Sequence, residues 1–123
     1  MQGFSFQYPF DFLPNFNGWA VLSKKERCKI KHRLYELMYD IASNYEHFDD
    51  LIVTSMWRSV SNNKKCGGKP DSKHLQGFAI DFHIDKFSKK LVSNDLYEVI
   101  PSPNCVHVQR SADYIRNKIL KGK

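Results

Sequence analysis

No stretch of apolar residues in the chain approaches the length of a helix that spans a membrane. Cysteine is scarce: only Cys28, Cys66 and Cys105 are present, widely spaced, and no pair has C-x-x-C spacing. An odd, scattered set of this kind excludes a disulfide framework and reads as the reduced thiols of an intracellular protein. The opening "MQGFSFQYPFDFLPNF" lacks a basic start followed by an apolar run, so a secretory signal is not expected and the chain is expected to be cytoplasmic as synthesised. Repeats and linkers are also missing. Hydrophobic residues make up 41% and charged residues 26%, so there is no shortage of apolar surface that would argue for disorder. A length of 123 residues suits one domain, 1–123, with a single core.

The excess of positive charge, +6, favours an anionic partner such as nucleic acid, an anionic membrane or an acidic cell-wall polymer. The densest basic run is "SKKERCKIKHR" at 23–33. Its cations Lys24, Lys25, Arg27, Lys29, Lys31 and Arg33 fall all around a helix instead of along one face, and no aromatic stacking platform accompanies them. That pattern reads as a solvated helix surface and argues against nucleic acid.

Residues 1–18 read as an irregular lead-in broken by Pro9, Pro14 and Gly18, with aromatic side chains that pack onto the domain. A helix begins at Ser23, which forms an S-x-x-E capping pattern with Glu26. Ile30, Leu34, Leu37, Met38 and Ile41 then recur at helical spacing to about Tyr45. "DLIVTSMWRS" (50–59) predicts a strand that ends near Arg58, and "VSNNKKCGGKPDS" (60–72) a long loop of the kind that often carries function. "GFAIDFHI" (77–84) predicts a second strand, and 85–95 a turn or short hairpin element. "LYEVI" (96–100) and "CVHVQ" (105–109) predict two strands joined by the tight turn "PSPN". "SADYIRNKIL" (111–120) predicts a closing helix capped by Ser111. Together these give a small α+β domain: a mainly antiparallel sheet, an amphipathic N-terminal helix packed on it, and a short C-terminal helix.

Alternation separates the faces of the 77–84 strand. Phe78, Ile80, Phe82 and Ile84 share a core face; Gly77, Ala79, Asp81 and His83 share the other. In "CVHVQ", Val106 and Val108 face the core, while His107 turns away beside Cys105 and Gln109. If the two strands are neighbours, Asp81 and His107 point into one cleft and His74 reaches over it from the preceding loop. Three protein ligands with a fourth position open is the pattern of a catalytic zinc. Periodicity alone leaves the alternative that these are ordinary surface or core residues.

The stretch "SKHLQGFAIDF" (72–82) has the form S-x-H-x-x-G-x-A-x-D-F. With "VTSMWRSVSNNKKCGGKP" (53–70) upstream and "CVHVQ" downstream, the chain resembles the zinc D-alanyl-D-alanine carboxypeptidase family, which includes phage endolysins and L-alanyl-D-glutamate peptidases. That family shares its fold with vancomycin-resistance dipeptidases and the hedgehog signalling domain. The resemblance covers roughly residues 20 to 110. It implies one zinc ion held by His74, Asp81 and His107, with Arg58 binding the substrate peptide and Ser72 in a supporting substrate-binding role. Asn104 stands where the family commonly has an acidic residue, three before the last histidine. The resemblance therefore assigns the general base to Glu98, on the strand before, as some branches of the family place it, with Asp95 and Asp113 as fallbacks. His83 is expected at the rim of the cleft. The implied function is hydrolysis of peptidoglycan stem peptides by a phage or bacterial lytic enzyme that acts on the wall once released. The alternative is a non-hydrolytic zinc-containing peptide-binding module on the same fold. The sequence sets neither the bond cleaved nor the oligomeric state.

Overall fold

The computed structural model describes residues 22–58, 60–65, 67–69 and 71–121. The aromatic lead-in at 1–18 and Cys66 lie outside the described residues. Helix α1, Lys24–Asn44, begins where expected: the Ser23 hydroxyl accepts a hydrogen bond from the Glu26 amide at 3.1 Å, satisfying one of the free N–H groups of the first turn. Its stripe of Ile30, Leu34, Leu37, Met38 and Ile41 is buried. That stripe packs on one face of a four-stranded sheet made of β1 (Val53–Ser55), β2 (Ala79–Phe82), β3 (Glu98–Pro101) and β4 (Val106–Gln109).

The strand order is β1-β2-β4-β3, with every neighbouring pair antiparallel. Val53, Ile80, Phe82, Val106 and Val108 meet the helix stripe in one core, joined by Met56, Trp57, Leu91 and Tyr97. Ile84 is partly buried against it. Phe78 is also buried, and the Arg33 guanidinium stacks over its ring at 4.3 Å. Helix α3, Ala112–Lys121, closes the chain and is capped as expected, the Tyr114 amide donating to the Ser111 hydroxyl at 3.1 Å. It is tied to α1 by Lys118–Glu36. Beside it, buried Arg110 donates to Asp40 at 2.7 Å and to the Leu96 carbonyl at 2.8 Å while stacking on Tyr114.

Two elements differ from expectation. The strand expected over 50–59 is confined to Val53–Ser55, with a register shift inside it. Beyond Ser55 the backbone serves a different partner. The Met56 carbonyl meets the His74 ring, and the Arg58 amide donates to the His74 carbonyl at 3.3 Å. The Trp57 indole N–H donates to the Leu75 carbonyl at 3.2 Å. The loop expected over 60–72 contains a short helix, α2, Val60–Lys65. Gly67, at φ 73, ends it: its amide donates to the Lys64 carbonyl, and that of Gly68 to the Asn63 carbonyl at 2.8 Å. The 85–95 segment holds one 3₁₀ turn, Ser88–Lys90, with Asp85 accepting from the amides of Phe87 and Ser88. The remaining strands shift or shorten by one or two residues at their ends.

Candidate metal centre

The centre is built on β2 and β4, which run side by side. Asp81 lies directly opposite His107 in their register, so both side chains leave the same face of the sheet, away from the α1 core. His74 arrives from a 3₁₀ turn, Lys73–Gln76, that leads into β2. Ser72 caps that turn, its hydroxyl accepting from the His74 amide at 3.3 Å. Gly77 ends the turn in a left-handed conformation, φ 81 and ψ 21. A Cβ at Gly77 would lie 3.0 Å from the Ile30 carbonyl oxygen, so glycine also lets the turn press against α1. The motif's serine and glycine thus hold the two ends of the turn that aims His74.

His74, Asp81 and His107 each offer a ligand atom, and these atoms lie within 4.8 Å of one another. His74 Nδ1 is 2.6 Å from the Met56 carbonyl oxygen. A carbonyl only accepts, so Nδ1 carries the proton and Nε2 presents a lone pair. That Nε2 is buried and has no hydrogen bond, although Asp81 Oδ2 is 3.1 Å away. His107 Nδ1 sits 2.6 Å from Asp81 Oδ1, and its Nε2 is 2.8 Å from Gln109 Oε1. The two imidazoles meet edge to face at 5.1 Å. A buried, unpaired imidazole nitrogen beside a carboxylate and a second imidazole fits a divalent zinc ion, since zinc takes nitrogen and oxygen donors and would satisfy the orphaned atom.

In the metal-free chain the same groups are held together by charge. Burial opposes ionisation of Asp81, but the hydrogen bond from the His107 imidazole favours it, and the carboxyl is held well below its ordinary range. For His107 burial acts to lower the pKa, yet the hydrogen bond to Asp81, the contact with Gln109 and the Asp81 charge together raise it. His74 and Asp81 are almost fully buried, while His107 is 22% exposed. The centre therefore opens on the His107 side, onto a cavity of about 360 Å³ whose lining includes Lys69, Ser72, Lys73, Ile100, His107 and Gln109.

Arg58 borders the centre. Its Nη2 donates to Asp81 Oδ2 at 3.0 Å, its Nε to Ser55 Oγ at 3.1 Å and its Nη1 to Asn63 Oδ1 at 3.4 Å. Asn63 is itself buried and anchored to the Lys69 carbonyl at 2.7 Å. The sequence reading did not single out Asn63 or Ser55, which steady the arginine, or the Met56 carbonyl, which sets the His74 tautomer. Alternation puts Gln109 on the His107 side but does not give its bonds.

Glu98 lies opposite Gln109 on the same sheet face as His107, and Gln109 Nε2 donates to its Oε2 at 3.5 Å. The fallbacks Asp95 and Asp113 are exposed and line a different cavity, of about 640 Å³, with Asn94, Ser111 and Lys118. His83 is exposed and outside the cluster; its amide extends the sheet ladder by donating to the Ile52 carbonyl at 2.7 Å. Cys28 and Cys105 are free thiols that take no part in the cluster. No described helix is long and apolar enough to cross a membrane.

A family model with the description Peptidase M15 matches residues 17–114, which is most of the chain and includes every residue of the centre. Comparison with curated proteins and with solved structures finds no match.

Proposed function

The chain belongs to the peptidase M15 family, and on that premise we propose that it is a zinc metallopeptidase that hydrolyses peptide bonds of peptidoglycan, either as a D,D-carboxypeptidase or as an L-alanyl-D-glutamate endopeptidase. The observation that carries the reading is the buried, unpaired Nε2 of His74 aimed at Asp81 beside His107. His74 would bind one zinc ion through Nε2, Asp81 through its carboxylate and His107 through Nδ1. When bound, zinc lowers the pKa of water to about 7 and polarises a carbonyl as a Lewis acid.

The remaining steps fall to the chain. Glu98 shares the open face and takes the proton of the attacking water, then delivers it to the leaving amine. Arg58 keeps the Asp81 carboxylate in place through Nη2, and its charge beside the centre would attract a substrate carboxylate. Ser72 keeps the His74 turn closed and lines the cavity where a stem peptide would lie. The burial of His74 and Asp81 excludes bulk water from the inner side, so the peptide approaches past His107. No covalent intermediate is required, and neither described cysteine is needed.

A cell-wall substrate is supported by the net charge of +6, which favours association with anionic wall polymers. Release to the wall by a phage or bacterial lytic route belongs to the same proposal. A second reading is a zinc-containing peptide-binding module without turnover. It is favoured by Asn104, exposed in the β3–β4 turn where an acidic residue would sit nearer the last ligand, and by a Glu98 carboxylate that touches Gln109 and no ligand. Glu98→Gln separates the two. Under the peptidase reading it keeps stoichiometric zinc and loses on the order of 100- to 10,000-fold in turnover. Unchanged turnover would show that Glu98 is not the base, and a zinc-loaded wild type with no turnover would favour the binding module.

A further inference from the structure

Gln109 is the polar residue on the open face whose place in the centre no motif assigns. It follows the last proposed ligand by two positions on β4, so both side chains leave the same face. Its amide bridges two groups with different tasks: Oε1 is 2.8 Å from His107 Nε2, and Nε2 reaches Glu98 Oε2 at 3.5 Å. An amide has one accepting end and one donating end, and a carboxylate only accepts. Glu98 therefore turns the amide nitrogen toward itself, which leaves the amide oxygen facing His107. An oxygen there requires a proton on His107 Nε2. Nδ1, which donates to the Asp81 carboxylate at 2.6 Å in the metal-free chain, is then the one ring nitrogen left to present a lone pair once zinc takes the place of its proton.

We propose that Gln109 is a positioning residue that transmits the orientation set by Glu98 to His107, fixing the imidazole as the Nε2–H tautomer with Nδ1 directed at the metal. This rests on the zinc reading of the His74, Asp81 and His107 cluster. It makes the proposed base and one proposed ligand parts of a single hydrogen-bonded chain, Glu98–Gln109–His107–Asp81, laid across three adjacent strands. Partners of this kind orient a metal-bound histidine, and losing one typically weakens metal affinity by about 10- to 100-fold. A residue that merely filled space at this position would have no such effect when replaced by a side chain of similar volume.

Two variants divide the roles. Gln109→Leu keeps the volume and removes both hydrogen bonds. Gln109→Glu keeps an acceptor for His107 Nε2–H and removes the donor to Glu98. Zinc affinity is measured by competition with a chromophoric chelator on the full chain, and the His107 tautomer by long-range nitrogen–proton NMR of the zinc-loaded protein. The expected result is a loss of about 10- to 100-fold in zinc affinity for Gln109→Leu. Gln109→Glu should stay within a few-fold of wild type, and wild type should show an Nε2–H signature at His107. Equal affinity in wild type and Gln109→Leu would overturn the proposal, as would an Nδ1–H tautomer in the wild type or equal losses in both variants. Absence of zinc binding by the wild type would overturn the metal centre itself and this proposal with it, a result distinct from the others.

Discussion

Replacing Gly77 by alanine tests how the centre is joined to the core. Gly77 has φ 81, and a Cβ there would meet the Ile30 carbonyl oxygen at 3.0 Å and Ile30 Cγ2 at 3.1 Å. A left-handed conformation costs an L-residue about 1–2 kcal/mol. Crowding a well-packed contact costs roughly 1–3 kcal/mol more, and here the obstacle is the backbone of α1, which cannot rotate away as a side chain can. Reduced freedom of the unfolded chain offsets about 0.4–1 kcal/mol. The net loss is about 2–4 kcal/mol, a large part of the stability of a small domain. Gly67 provides the control: it has φ 73 but nothing within 4 Å of its Cβ position, so Gly67→Ala pays only for conformation, about 1 kcal/mol or less. Urea denaturation followed by circular dichroism reads both. With a slope of about 2 kcal/mol per molar, the midpoint for Gly77→Ala should fall by about 1–2 M and that for Gly67→Ala by clearly less. Because Gly77 ends the turn that carries His74, zinc affinity should fall in Gly77→Ala as well. Equal midpoints for the two variants would refute the argument that α1 presses on this turn.

The metal-free and zinc-loaded proteins should respond to pH in opposite senses. His107 has a raised folded pKa, so its contribution to metal-free stability is full below its ordinary value of 6.5 and is lost as pH rises through the raised value. Asp81 has a depressed folded pKa, so its contribution is present above its ordinary 3.8 and is lost as pH falls toward the depressed value. Zinc must displace the His107 proton, so zinc affinity should climb over the same interval in which metal-free stability declines. Thermal melts and calorimetry in buffers of different ionisation enthalpy would read both, and zinc affinity flat across the raised His107 pKa would contradict the protonated pair. Asp40→Ala removes the partner of Arg110, which is 1% exposed, and should cost about 3 kcal/mol, with a melting shift on the order of 10 °C. A shift near zero would mean that the Leu96 carbonyl and Tyr114 alone satisfy the guanidinium.

What was legible in the sequence was what alternation and local chemistry control. Phe78, Ile80 and Phe82 are buried and Ile84 is partly buried, and the odd positions of the same strand placed Asp81 on the opposite face. The same reasoning for Val106, His107 and Val108 put His107 on the side where Asp81 stands opposite it. Ser23 and Ser111 announce the starts of α1 and α3 because a cap is decided within four residues. What was hidden depends on contacts between distant segments. The stretch from residue 50 predicts a strand to near Arg58, but the backbone after Ser55 is spent on the His74 turn, and no local signal shows that. Helix α2 is short and polar, with no apolar periodicity to set it apart from a loop. The orientations of Asn63 and Gln109 follow from Arg58 and Glu98, which lie on other segments.

Zinc held by His74, Asp81 and His107, with Glu98 as base, is expected to hydrolyse a stem-peptide bond. Mass analysis of muropeptides released from purified peptidoglycan tests it most directly. The zinc-loaded wild type should produce fragments shortened by hydrolysis at one defined stem-peptide bond; a chelator and Glu98→Gln should each abolish them, and zinc should restore activity only after the chelator. An unchanged muropeptide profile after digestion with the zinc-loaded wild type would mean that the centre does not hydrolyse the wall peptide.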